Sequence, residues 1–520
     1  MERHIGLWDR EYGNKTTVAE LIIDGNHIEF YNRDVQGING CAYIGGDGTC
    51  RYKVFTNGAA RYGKYRTLDN AASYRTFYVL KQNCDFQKGL KIEGIKEASF
   101  IIPELVDWLD ICTIDWGATE QKEMIAIETK LPNIILKAEN PKIEIYFEAG
   151  NSLYNPDIDR IAFEIRNQPR VRIVYKEPSN VEKLHSDIRA IMQFFGLMIG
   201  HITDALDIRL DIQNQDLKSW LYINEDFSYN LRTMPTIDRP RTKLKTVEEN
   251  INRYFESWYY FYYDDKFELI RRMYFEGNKR KDIYAQDILV QYVRILEGYH
   301  LRITNEEEIA STLDKDIKDM IFTDDGKKLF VPIFEKAGWT FNSKHAKKVA
   351  SWIASGFILK TTLSQRLKDL DSQHFDIIAK NADDIARLEI IPMPIEQKIP
   401  KDFNYFQRIV DTRNYYSHYK ADDKNVLNFT QMCNTINVLK ALIIMILYTH
   451  MGMTNDEARK IIIWDEELSF QTMCLRKEGE LPKKKGCFFH SKRTIFYIAE
   501  RFSFNEIPSA FSISGGDFIH

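Results

Sequence analysis

Residues 170–177 read RVRIVYKE and residues 181–200 read VEKLHSDIRAIMQFFGLMIG. Within this one stretch the apolar side chains change period. The first segment alternates apolar with charged residues, the spacing of a strand with one buried face. The second repeats Leu, Ile, Phe and Met at helical spacing, as a helix packed on a sheet would. Upstream, VAELIID (18–24), YRTFYVLKQ (74–82), EMIAIETK (123–130) and KIEIYFEA (142–149) are rich in β-branched and aromatic residues, and turns such as DGN and AENP separate them. The spacing predicts a mostly antiparallel β domain with one packed helix over residues 1–235.

Downstream the pattern changes. LRTMPTIDRPRTKLKTVEEN (231–250) carries two prolines and little periodicity, and marks the boundary. TVEENINRYFESWYYFYYDDKFELIRRMYF follows, with Thr246 and Glu249 at capping-box spacing. IYAQDILVQYVRILEGYHLRI, KHAKKVASWIASGFILKTTLSQRL and NVLNFTQMCNTINVLKALIIMILYTH also read as helices. Pro392, Pro394 and Pro400 mark a loop before a further helix, DFNYFQRIVDTRNYYSHY. The expected fold class is α+β, with an all-α domain over 246–470 and a less regular extension over 471–520.

The totals agree with this division. A chain of 520 residues exceeds what one core usually supports. Its 44% hydrophobic and 28% charged residues are those of a packed globular protein. A net charge of −4 excludes a globally basic nucleic-acid binder but leaves room for a local basic patch. The opening MERHIGLWDREYG is too polar for a signal peptide, and the apolar run ALIIMILY (441–448) is far short of the roughly 20 residues a membrane span needs. Seven scattered cysteines, an odd number, predict reduced thiols and a cytoplasmic protein with no membrane partner.

Several motifs have plain structural readings. GNKTT (13–17) lacks the first glycine of a phosphate-binding loop and reads as a polar turn. IGGDGTC (44–50) reads as a hairpin turn, with Cys41 and Cys50 flanking it as free thiols. Cys474, Cys487 and His490 offer three ligands where a structural zinc site uses four, so no metal and no cofactor is expected. The aromatic and basic stretch 252–276 reads as a buried or interface face.

Two segments place an arginine shortly before a histidine, RILEGYH (294–300) and RNYYSH (413–418). In the first, Arg294 is followed by Ile295 and Leu296 on an apolar helix, whose polar residues form a solvent edge. In the second, Arg413 is followed by Asn414, which lies four residues before His418 and so neighbours it on one helix face. Arg413 and His418 are about 140° apart around the helix, flanking positions from which two groups can meet one phosphate. On residue types alone this is the polar end of a helix.

With its asparagine and its place in a late helix of an all-helical region, RNYYSH resembles the R-x4–6-H signature of HEPN ribonucleases. The β-rich half, opening near GLWDREYG and running into VAELIIDGNHIEFY, followed by this helical half, is similar to the ApeA family of anti-phage proteins. The resemblance spans roughly residues 5–465. It implies a metal-independent endoribonuclease in which the RNA 2′-hydroxyl attacks the adjacent phosphate. His418 would move protons, since histidine ordinarily titrates at about pH 6.5. Arg413 would present its fork to phosphate oxygens, and Asn414 would orient His418 or bond the phosphate.

The resemblance also implies a homodimer through the HEPN domain, which brings two motifs together across a two-fold axis. It implies an abortive-infection role against phage, with the β domain sensing or restraining and an unknown phage-derived trigger. RNA is the implied substrate, transfer RNA at an exposed anticodon loop above others. Tyr415, Tyr416 and Tyr419 would stack on splayed bases or pack on neighbouring helices, and Arg408 and Lys420 could add phosphate contacts. The alternative is a non-catalytic HEPN scaffold that dimerises and binds RNA or a protein partner.

Overall fold

The alternating segments form strands. In the computed structural model, the described residues lie within 1–477, interrupted by stretches of which the longest are 83–91, 224–239, 305–314, 349–360 and 389–402. The chain divides into two compact units: Met1–Phe261 with His450–Met453, and Tyr262–Thr449 with the residues from Thr454 onward.

In the first unit, β1 (Glu2–Arg10), β2 (Thr16–Asp24), β3 (His27–Asn32), β4 (Asn39–Gly46), β5 (Arg51–Tyr65) and β6 (Leu68–Gln82) are antiparallel to their neighbours. They close into a ring in the order β1–β2–β3–β6–β5–β4, with β4 returning to β1. One face of each strand turns inward, and Trp8, Leu21, Ile23, Ile28, Phe30, Tyr43, Tyr52, Val54 and Val79 fill the interior. Trp8 meets Phe30 edge to face at 5.3 Å. Gly45 lies so close to the Trp8 indole that a Cβ there would collide with it. That glycine is required by contact rather than by backbone angle. Gly46 stands opposite Arg51, so IGGDGTC does contain the β4–β5 hairpin, although residues 47–50 themselves lie outside the described set.

From β6 the sheet runs on through β14 (Ser219–Ile223), β13 (Leu206–Ile212), β7 (Ile95–Ile101), β12 (Arg160–Ser179), β11 (Lys142–Asp157) and β10 (Ile134–Leu136). A separate pair, β8 (Ile114–Ala118) and β9 (Ile125–Thr129), completes the described strands, with a short helix α1 (Leu105–Leu109) between β7 and β8. The helical spacing after RVRIVYKE becomes α2 (Val181–Ile199). Asn180 Oδ1 caps it by accepting from Lys183 N at 2.8 Å, and Gly200 ends it at φ 107°. Its buried Asp187 accepts from Tyr175 Oη (2.8 Å), Lys183 Nζ (2.6 Å) and Tyr259 Oη.

Thr246 is not the residue in front of the helix. It is the third residue of α3 (Leu244–Val247), and its hydroxyl accepts from Lys243 N at 3.3 Å and donates to Lys243 O at 2.6 Å. The helix therefore begins before the position that the Thr246 and Glu249 spacing implies. The aromatic stretch becomes α4 (Ile251–Tyr262), whose Phe255 meets Phe194 and whose Trp258 Nε1 donates to Ala190 O at 2.9 Å. Its dense aromatics are internal packing, with Tyr260 exposed.

The second unit is helical: α5 (Glu268–Lys279), α6 (Ala285–Thr304), α7 (Asp324–Lys336), α8 (Leu363–Gln373), α9 (Ile377–Arg387), α10 (Tyr405–His418), α11 (Phe429–His450), α12 (Asn455–Ile462) and α13 (Ser469–Thr472). Helix α11 is long and largely apolar, and by length and composition it could cross a membrane. However, 89% of its apolar window is buried inside the protein, as befits the central helix of a bundle. Asn428 and Gln431 cap it reciprocally, Asn428 Oδ1 accepting from Gln431 N (2.9 Å) and Gln431 Oε1 from Asn428 N (3.1 Å). Fold class is thus α+β, an antiparallel sheet unit followed by helices.

Candidate active site

Helix α10 carries RNYYSH and packs against α6, α8 and α9. Asn404 Oδ1 caps its start by accepting from Gln407 N at 3.2 Å. Tyr405 is wholly buried, shares a 2.9 Å hydrogen bond with Thr435 Oγ1, and has its phenol pushed far above the usual range by burial. Ile409, Val410 and Thr412 are also turned inward. Thr412 Oγ1 donates to Arg408 O (2.7 Å) and accepts from Leu427 N (2.9 Å), so the chain leaving α10 is tied back to it. With the apolar positions fixed inside, Arg413 and Asn414 lie half-buried and His418 is exposed at the last position of the helix.

The structure joins Arg413 and Asn414 directly. Arg413 Nη1 donates to Asn414 Oδ1 at 3.0 Å, and Nη2 donates to Glu297 Oε2 of α6, also at 3.0 Å. The other oxygen of Glu297 faces Arg366 Nη1 of α8 at 3.7 Å. The Asn414 amide oxygen is therefore engaged with the guanidinium next to it, an outcome that spacing alone did not distinguish from a bond to His418. Charge-assisted bonds of this kind hold a planar guanidinium in a set direction. A fixed fork of N–H groups and an exposed imidazole on one helix are groups that can bind a phosphate and move protons around it.

Of the proposed base-contacting groups, Tyr415 and Tyr416 are half-buried and meet edge to face at 5.0 Å. Burial first, and then Tyr415, push the Tyr416 phenol upward. Arg408 lies over the Phe403 ring at 4.6 Å. Tyr419 and Lys420 lie outside the described residues, as do Cys487 and His490. Cys474 hydrogen-bonds Gln471 O at 3.4 Å, and no group of metal-ligating side chains converges among the described residues.

The second motif takes a different course. Arg294 is exposed on α6, whereas His300 is buried with its Nε2 3.5 Å from Asp369 Oδ2 of α8. Glu297 and Arg366, the partners of Arg413, were not singled out by sequence reasoning. Both contacts run between helices, and only the odd glutamate within the apolar RILEGYH hinted at them. Nearby, Asp371 accepts from Ile378 N (2.7 Å) and Ala379 N (3.0 Å) at the start of α9. Burial nevertheless pushes its carboxyl up to about 6.

A helical bundle bearing this cluster matches the family model described as Apea-like HEPN over residues 290–457, which takes in α7, α8, α9, α10, α11 and most of α6. HEPN domains of this type bind RNA, dimerise and serve as nuclease-type anti-phage effectors. The model described as ApeA N-terminal domain 1 matches residues 4–258, and the two spans together cover most of the chain. The chain belongs to the ApeA family and carries a C-terminal HEPN domain. No curated protein and no solved structure matches it.

Proposed function

We propose that this protein is a metal-independent endoribonuclease that acts in the cytoplasm during phage infection, with transfer RNA at an exposed anticodon loop as its favoured substrate. The supporting observation is the joined pair Arg413 and Asn414, anchored by Glu297, on the same helix as an exposed His418 and inside the span matched as HEPN. In this reading His418 takes the proton of the RNA 2′-hydroxyl, and that oxygen bonds to the adjacent phosphorus. The bond from phosphorus to the 5′-oxygen breaks, the leaving oxygen takes up a proton, and a 2′,3′-cyclic phosphate and a 5′-hydroxyl remain. Arg413 binds the extra negative charge on the phosphorane, and Asn414 holds the fork in line.

Two proton transfers call for two groups. A homodimer through the HEPN domain supplies the second His418 from the other copy, since a two-fold interface presents the same patch twice. The β domain restrains the nuclease until a phage-derived trigger appears.

The test is cleavage of transfer RNA in EDTA by the wild-type protein, Arg413→Ala and His418→Ala, with the new ends mapped chemically. The wild type is expected to cleave without metal and leave 5′-hydroxyl ends, and both variants to be inactive yet still dimeric. Cleavage by either variant at near wild-type rate would remove the catalytic assignment and leave the scaffold reading.

A further inference from the structure

The carboxylate of Glu297 stands between two guanidinium groups, one oxygen toward each. Oε2 accepts from Arg413 Nη2 at 3.0 Å, and Oε1 faces Arg366 Nη1 at 3.7 Å. All three side chains are largely shielded, with 18% of Arg413, 26% of Glu297 and 10% of Arg366 exposed. The Glu297 carboxylate thus holds two guanidinium groups in a partly dehydrated place, where charge-assisted bonds fix direction well. Arg413 Nε is buried with no hydrogen-bond partner among the described residues, so the guanidinium retains an uncommitted donor.

We infer that Glu297 is a positioning residue: backed by Arg366, it aims the Arg413 fork at the scissile phosphate. This rests on the catalytic reading of Arg413. An arginine side chain has about 2 kcal/mol of rotamer entropy to lose, so an unsupported one samples many directions. Without the carboxylate, Arg413 and Arg366 would also repel one another at close range. A reacting group displaced by about 1 Å loses about 100-fold in rate. The opposite role, a carboxylate that competes with phosphate for Arg413, predicts faster cleavage when the charge is removed, so the sign of the effect decides.

The experiment uses the full chain with Glu297→Gln, which keeps the shape and removes the charge. Single-turnover cleavage at saturating RNA is expected to fall about 10-fold or more. RNA affinity, compared between His418→Ala and the Glu297→Gln/His418→Ala double variant, is expected to hold or tighten and to become more salt-sensitive, because the site gains net positive charge. In a cycle with Arg366→Met, the combined rate loss is expected to be smaller than the product of the two single losses. Glu297→Gln cleaving at or above the wild-type rate would overturn the inference. So would a joint fall of rate, affinity and melting temperature, which marks a residue that merely supports the fold. If Arg413→Ala also cleaves normally, the catalytic reading itself has failed. If Arg413→Ala is inactive while Glu297→Gln is at full rate, only the positioning role is lost.

Discussion

RILEGYH and RNYYSH offer the same two residue types at nearly the same spacing, on helices that touch, yet their histidines meet different fates. His300 is buried on α6 together with Ile295 and Leu296, and is paired with Asp369. His418 ends α10 in solvent, on a helix that turns Tyr405, Ile409 and Thr412 inward. The difference lies in which side of each helix carries the apolar stripe. A short motif says what chemistry is available, and the stripe decides whether it is reachable. The two segments are also physically linked, because Glu297 of the first holds Arg413 of the second.

The largest expected contrast is in rate. Arg413→Ala or His418→Ala should lower RNA cleavage by on the order of 1,000-fold, whereas Arg294→Ala should leave the initial rate within about twofold. A large loss for Arg294→Ala would erase the distinction between the motifs. Next comes stability. His300→Ala removes a buried, paired ring and should cost about 2 to 3 kcal/mol in denaturant melts. Cleavage per folded molecule should persist, provided His300 is structural.

The bundle under both motifs has its own pH signature. Asp371 has a carboxyl raised by burial from 3.8 to about 6, so the folded state favours its protonated form. The resulting stability is fully present below the ordinary carboxylate range and is lost as pH rises through about 6. It amounts to about 2 to 3 kcal/mol, and Asp371→Asn should flatten that part of the profile in melts from acid to neutral pH. The smallest effect is expected at Asn414→Ala, which frees one edge of the Arg413 fork without removing a charge. A rate loss of about 10-fold is expected, and one as large as that of Arg413→Ala would mean that the amide itself touches the substrate.

Local pattern made much of the fold legible. The alternation in RVRIVYKE and the spacing in α2, with Asn180 before it and Gly200 after it, are interactions between near neighbours, and the sequence states them openly. The helix bearing Arg413, Asn414 and His418 could be read for the same reason. Ring closure could not, because β5 meets β6 and β4 meets β1 through backbone groups that every residue possesses. Glu297 was illegible for a related reason. Its partner lies 116 residues away, and only the packing of α6 on α10 makes the pair. Thr246 misled because a threonine hydroxyl caps equally well from inside a first turn as from in front of it.

The ring of β1 to β6 has a consequence for recognition. Where β5 folds back on β6 and β4 returns to β1, each of these six strands has a neighbour on both sides, although β4 meets β1 only at Asp9 and Arg10. An incoming chain therefore finds only short stretches to extend as another strand. Among the described strands of the large sheet, β10 at its far end is the one with a single neighbour and so keeps backbone groups to offer. A visitor to the ring is therefore read mainly through side chains and connecting loops, which change readily in sequence while the frame beneath them stays the same.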